Sequence, residues 1–88
     1  MKNGEKFEKV VVELLEERIA AKGLSHSDFA RAVMDGDPIR SWRLCRAKDG
    51  RRRRLRLSEI YDAAEFLGED FASLMWQFLQ EARRRGVL

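Results

Sequence analysis

Four of the six glycines in this chain, Gly23, Gly36, Gly50 and Gly68, stand where a run of helical periodicity breaks off. Between them apolar residues recur every three or four positions, and no stretch alternates strictly between apolar and polar. Such a pattern builds short amphipathic helices joined by tight turns and supplies no strand for a sheet. The expected fold class is therefore all-α, a compact domain of five helices. Length agrees: 88 residues make one small domain, too short for a (βα)8 barrel or for a dinucleotide-binding domain with a substrate partner.

The periodicity predicts a first helix over about 5–22, with Phe7, Val10, Val11, Leu14, Leu15 and Ile19 on one stripe and Gly23 at its end. Ser25-His26-Ser27-Asp28 reads as a capping box that opens a second helix, with Phe29, Ala30 and Val33 inward and a stop near Met34. Asp37-Pro38 combines a capping side chain with a proline suited to the first helical position. The third helix is expected to reach about Lys48, with Ile39, Trp42 and Cys45 as its buried edge and Arg40, Leu44 and Ala47 opposite. Asp49-Gly50 would end it. Ser58 is expected to cap a fourth helix over 59–67, with Ile60, Ala63, Ala64 and Leu67 inward. Asp70 would cap a fifth over about 71–85, with Phe71, Leu74, Met75, Phe78, Leu79 and Ala82 on its apolar face.

Charge adds the functional signal. The net value is only +3, but residues 31–57 carry ten Lys/Arg against three Asp/Glu, a local +7 between two mildly acidic flanks. Arg51–Arg54 and Arg56 put five arginines into six positions. A block of that kind points to a polyanionic partner, most often a phosphate backbone.

The segment Gly23-Leu24-Ser25-His26-Ser27-Asp28-Phe29-Ala30 resembles the helix 1–helix 2 signature of the Cro/Xre, or lambda-repressor-like, family. Gly50-Arg51-Arg52, Leu57-Ser58-Glu59-Ile60 and Ala63-Ala64-Glu65-Phe66-Leu67-Gly68 resemble the stretch C-terminal to that family's recognition helix. The likeness covers roughly residues 10–75. Two features depart from the family: Met34–Pro38 is longer and more acidic than its usual Gly-apolar-Ser turn, and the interval from Ala30 to Gly50 is longer too.

The resemblance implies a helix-turn-helix over about 25–48, with the third helix in the major groove of double-stranded DNA. Its candidate base readers are Arg40, Ser41, Arg43, Leu44 and Ile39, the arginines suiting guanine O6 and N7. Candidate phosphate contacts are His26, Arg51, Arg52, Arg53, Arg54 and Ser58. About five such contacts per subunit would give a log–log salt slope near −4.5. The implied activity is transcriptional regulation, as a repressor bound as a homodimer to a palindromic operator. Trp76 and Leu79 are the candidate dimer contacts. Packing of Trp76 against the first helix is the alternative.

Other chemistries find little support. One cysteine and one histidine cannot build a Cys/His metal centre, and no nucleophile–base–orienter set or Gly-rich phosphate loop is present. No enzyme activity, metal or cofactor is expected. Cys45 and Trp42 read as core. The longest uncharged stretch, Phe71–Gln80, is half of the roughly 20 apolar residues a membrane span needs. No secretory signal is expected, which leaves a cytoplasmic protein. The alternative function is an antitoxin or other interaction module on the same fold, whose acidic, aromatic-bearing last helix covers a toxin or regulatory partner. A third is RNA binding through the arginine run.

Overall fold

The computed structural model describes residues 2–48 and 53–88. Among them the chain forms five α-helices and no strand: α1 (Asn3–Ala21), α2 (His26–Val33), α3 (Pro38–Cys45), α4 (Leu57–Leu67) and α5 (Phe71–Arg84). The all-α fold class is as expected. The roles expected of Arg51 and Arg52, and the stop at Asp49-Gly50, lie outside the described residues.

Helix ends obey the local chemistry. Gly23 adopts φ 66°, which lets the Leu24 N–H turn back to the Ile19 carbonyl at 3.0 Å. Gly68, at φ 70°, does the same for the Glu69 N–H and the Ala64 carbonyl, at 2.9 Å. Both are six-to-one closures that a left-handed residue after a helix permits. At the starts, Ser25 Oγ accepts the Asp28 N–H at 3.0 Å, Asp37 Oδ1 accepts that of Arg40 at 3.3 Å, and Asp70 Oδ2 accepts that of Ser73 at 2.9 Å.

Two boundaries are corrected. Helix α4 begins at Leu57, so Ser58 lies in its first turn and is not its cap. Glu59 replaces it, its Oε1 accepting the Arg56 N–H at 2.8 Å. Helix α3 ends at Cys45 and does not reach Lys48. The Leu44 carbonyl, which a continuing helix would offer to Lys48, accepts instead the N–H groups of Ala47 at 3.3 Å and Arg53 at 3.2 Å.

Helix α2 is the centre of the packing, in contact with both α3 and α4, while α5 lies on α1 and α4. Phe29 joins these layers, with its ring 4.7 Å from that of Trp42 and 5.7 Å, edge-on, from that of Phe66. Val11, Leu15, Ile19, Ala63, Leu74 and Phe78 complete the centre of the core. Phe7 and Leu14, half-buried, pack against the core from the stripe expected for α1. Two details of the stripes are corrected: Val12 is buried although it lies off that stripe, and Ile39 is 40% exposed. The Trp42 indole fills the space between α3 and Phe29, so Ile39, one turn earlier, lines a surface notch. No helix among the described residues is long and apolar enough to cross a membrane.

Candidate nucleic-acid interface

Helix α3 is anchored on one side and open on the other. Trp42 and Cys45, each 1% exposed, hold it to the core. The cap at Asp37 fixes its first turn, and Ser41 Oγ donates to the Asp35 carbonyl at 3.2 Å, closing the link from α2. Arg40 and Arg43 point outward, and neither takes part in an ion pair among the described residues. Of the five expected base readers, Ile39, Arg40 and Arg43 are exposed. Ser41 and Leu44 are half-buried, and the Ser41 hydroxyl already has an intramolecular partner.

The arginine run behaves differently at each position. Arg53 turns inward: its Nη1 and Nη2 donate to Glu59 Oε1 and Oε2 at 2.8 and 2.7 Å, a two-pronged bond to a carboxylate only 1% exposed. Its Nη1 also lies 3.7 Å from Met34 Sδ and 3.8 Å from Cys45 Sγ. One guanidinium thus ties the end of α2, the end of α3 and the start of α4. Arg53 was expected on the phosphate backbone; the correction is that its donors are spent inside the fold.

Arg54 is exposed but engages α1, with Glu5 at 3.1 Å and Glu8 at 3.5 Å. Glu8 also accepts the Leu55 N–H at 3.1 Å, which pins the backbone of the connection. Arg56 pairs with Asp35 at 3.1 Å. Ser58 is exposed in the first turn of α4.

Titration reflects the same geometry. Burial would push the Glu59 carboxyl up, but the Arg53 guanidinium and the Arg56 and Asp35 N–H groups together hold it below its ordinary 4.5. Burial pushes the Cys45 thiol up, against the opposite pull of Arg53. A thiol so placed is a small apolar core group, in keeping with its sequence context.

His26, expected at phosphate, sits half-buried at the start of α2 and bonds to α3: its Nδ1 accepts the Trp42 indole N–H at 3.0 Å. Arg46, which no sequence motif singles out, lies with its guanidinium carbon 5.5 Å from the Trp42 ring centre. On a third helix running to Lys48, Arg46 would be one more surface residue. Only the fold brings it beside His26.

On α5 Trp76 is 61% exposed, and Leu79, three residues on, is half-buried. No family model, no curated protein and no solved structure matches the chain.

Proposed function

We propose that this chain is a sequence-specific double-stranded DNA-binding regulator of the lambda-repressor-like type, with α2 and α3 as its helix-turn-helix. The observation that carries the reading is the contrast among its arginines. Arg53, Arg54 and Arg56 are matched by carboxylates within the fold, whereas Arg40 and Arg43 stand on the open face of a capped, core-anchored helix with no such partner among the described residues. An unpaired pair of guanidinium groups on a rigid helix suits bidentate contact with guanine edges.

The proposed role is repression by a homodimer on a palindromic operator in the cytoplasm. Trp76 and Leu79 supply the apolar part of the subunit contact. The molecule is 31 Å across its two longer axes. Two copies side by side therefore match the roughly 34 Å between successive major-groove half-sites.

Selection of bound sequences from random duplex DNA at two salt concentrations tests this. Recovery of a palindrome is the expected result, and Arg40→Ala or Arg43→Ala should each relax one position of it. Recovery of no motif overturns sequence-specific reading. The exposed Trp76 also favours a second reading, an antitoxin-like module whose α5 covers another protein. Sedimentation of the chain alone separates the two, because a monomer at high micromolar concentration counts against the homodimer and for the protein partner.

A further inference from the structure

We propose that Ser41 is a positioning residue and not a base reader: through Asp35 it ties α3 to the start of α4 and so sets where Arg40 and Arg43 meet the duplex. This rests on the DNA-binding reading and names what holds its reading helix in place. Four residues, Met34–Asp37, separate α2 from α3. A few such positions are enough to make a hinge. Here one of them is bonded at every polar group. The Asp35 carbonyl accepts the Ser41 hydroxyl at 3.2 Å, its Oδ2 accepts Arg56 Nη1 at 3.1 Å, and its N–H donates to the Glu59 carboxylate. Glu59 is itself 1% exposed and held by the Arg53 guanidinium and the Arg56 N–H. The link between α2 and α3 is thus fastened to a carboxylate set inside the fold.

Ser41 is the α3 side chain that reaches this fixed point. A serine hydroxyl has one proton. Given to the Asp35 carbonyl, it is not free for a guanine acceptor or a phosphate oxygen. The place of Ser41 on the helix explains why the bond matters. Trp42 and Cys45 anchor α3 along one edge, and contacts along one edge leave a two-turn helix able to swing about it. Ser41 lies roughly 100° around the helix from Trp42, so its bond opposes that swing. Arg40 and Arg43 stand on the opposite, open side of the same short helix. A swing would displace both at once, and groups at a binding site must be held within about 0.5 Å of their productive positions.

Sequence selection and duplex titration of the wild type, Ser41→Ala and Ser41→Thr test this. Alanine is the best helix former, so Ser41→Ala keeps α3, and it removes no cation. It should lower the ratio of specific to non-specific affinity by up to roughly tenfold, the scale of one neutral hydrogen bond. The base positions assigned to Arg40 and Arg43 should relax together. Non-specific affinity and its salt slope should stay as in the wild type, because no phosphate contact is lost. Ser41→Thr, which keeps the hydroxyl, should restore the motif. Relaxation at a single base position identifies a base contact and overturns the proposal. So does an unchanged motif, or a loss of specific and non-specific binding alike in step with a lower melting temperature. If the wild type selects no motif, the regulator reading fails, and positioning is judged on the free protein from residual dipolar couplings of its backbone amides. One orientation of α3 against α2 in the wild type and Ser41→Thr, changed or averaged in Ser41→Ala, supports it. Couplings of α3 that stay the same in Ser41→Ala overturn it.

Discussion

At the residue scale the decisive pair is Arg53 and Glu59. A carboxylate 1% exposed needs its charge answered, and the guanidinium is in place with both prongs. Breaking a buried pair from one side costs more than the pair contributes, since the remaining charge stays in the interior. Glu59→Gln should lower unfolding free energy by about 3 kcal/mol, near the lower end for such pairs, because the Arg53 side chain keeps 18% of its exposure. Replacing both, as Arg53→Met with Glu59→Leu, should cost less than either single change. Urea titrations of the three variants check this, and a double variant weaker than both singles would contradict it. The pH dependence has its origin in the same pair. The folded carboxyl of Glu59 lies below 4.5, so its contribution is complete above that value and is lost as pH falls through the lower folded one. Acid unfolding curves should therefore be less steep below about pH 4.5 in Glu59→Gln than in the wild type.

At the element scale α3 is a two-turn helix that could not hold its shape alone. Its cap, its proline, the buried Trp42 and Cys45 and the bonds from Trp42 to His26 and from Ser41 to Asp35 hold it. Asp37→Ala should cost about 1 kcal/mol of stability and should weaken DNA binding beyond that, because the first turn carries Arg40. Circular dichroism melting alongside duplex titration separates the two effects. The ion pairs of the connection act between elements. Exposed pairs of this kind are weak and yield to salt, so α1 carboxylates compete with phosphate for Arg54. Glu5→Gln should thus tighten binding to non-specific duplex at low salt, and unchanged affinity would show that Arg54 does not reach DNA.

At the scale of the whole molecule, α3 rests on α2 while α5 rests on α1 and α4, which separates the proposed reading face from the apolar Trp76 face. Trp76→Glu should leave the melting temperature nearly unchanged at dilutions where the wild type is monomeric, since an exposed side chain adds little to the core. The same change should abolish the homodimer in sedimentation. The salt dependence is a property of the assembled surface. With Arg53 turned inward, the run offers at most four cations to phosphate, Arg51, Arg52, Arg54 and Arg56. The log–log slope from the run should then be near about −3.6 per subunit, shallower than the value five contacts would give.

Helix number, the capping roles of Ser25, Asp37 and Asp70, and the glycine stops at Gly23 and Gly68 were legible in the chain, because each depends on residues within one turn of one another. So was the burial of Trp42 and Cys45, although Ile39, at the same three-residue spacing, is exposed. What only the tertiary structure decided is the fate of individual charges. Five arginines in six positions look alike in one dimension, and nothing local distinguishes Arg53 from its neighbours. Its partner Glu59 resembles any first-turn acid until α2, α3 and α4 close around it. The bond from Trp42 to His26 spans sixteen residues and exists only where α3 crosses the start of α2. Local propensities determined the helices of this protein; burial and three-dimensional neighbours determined which of its cations remain available to a partner.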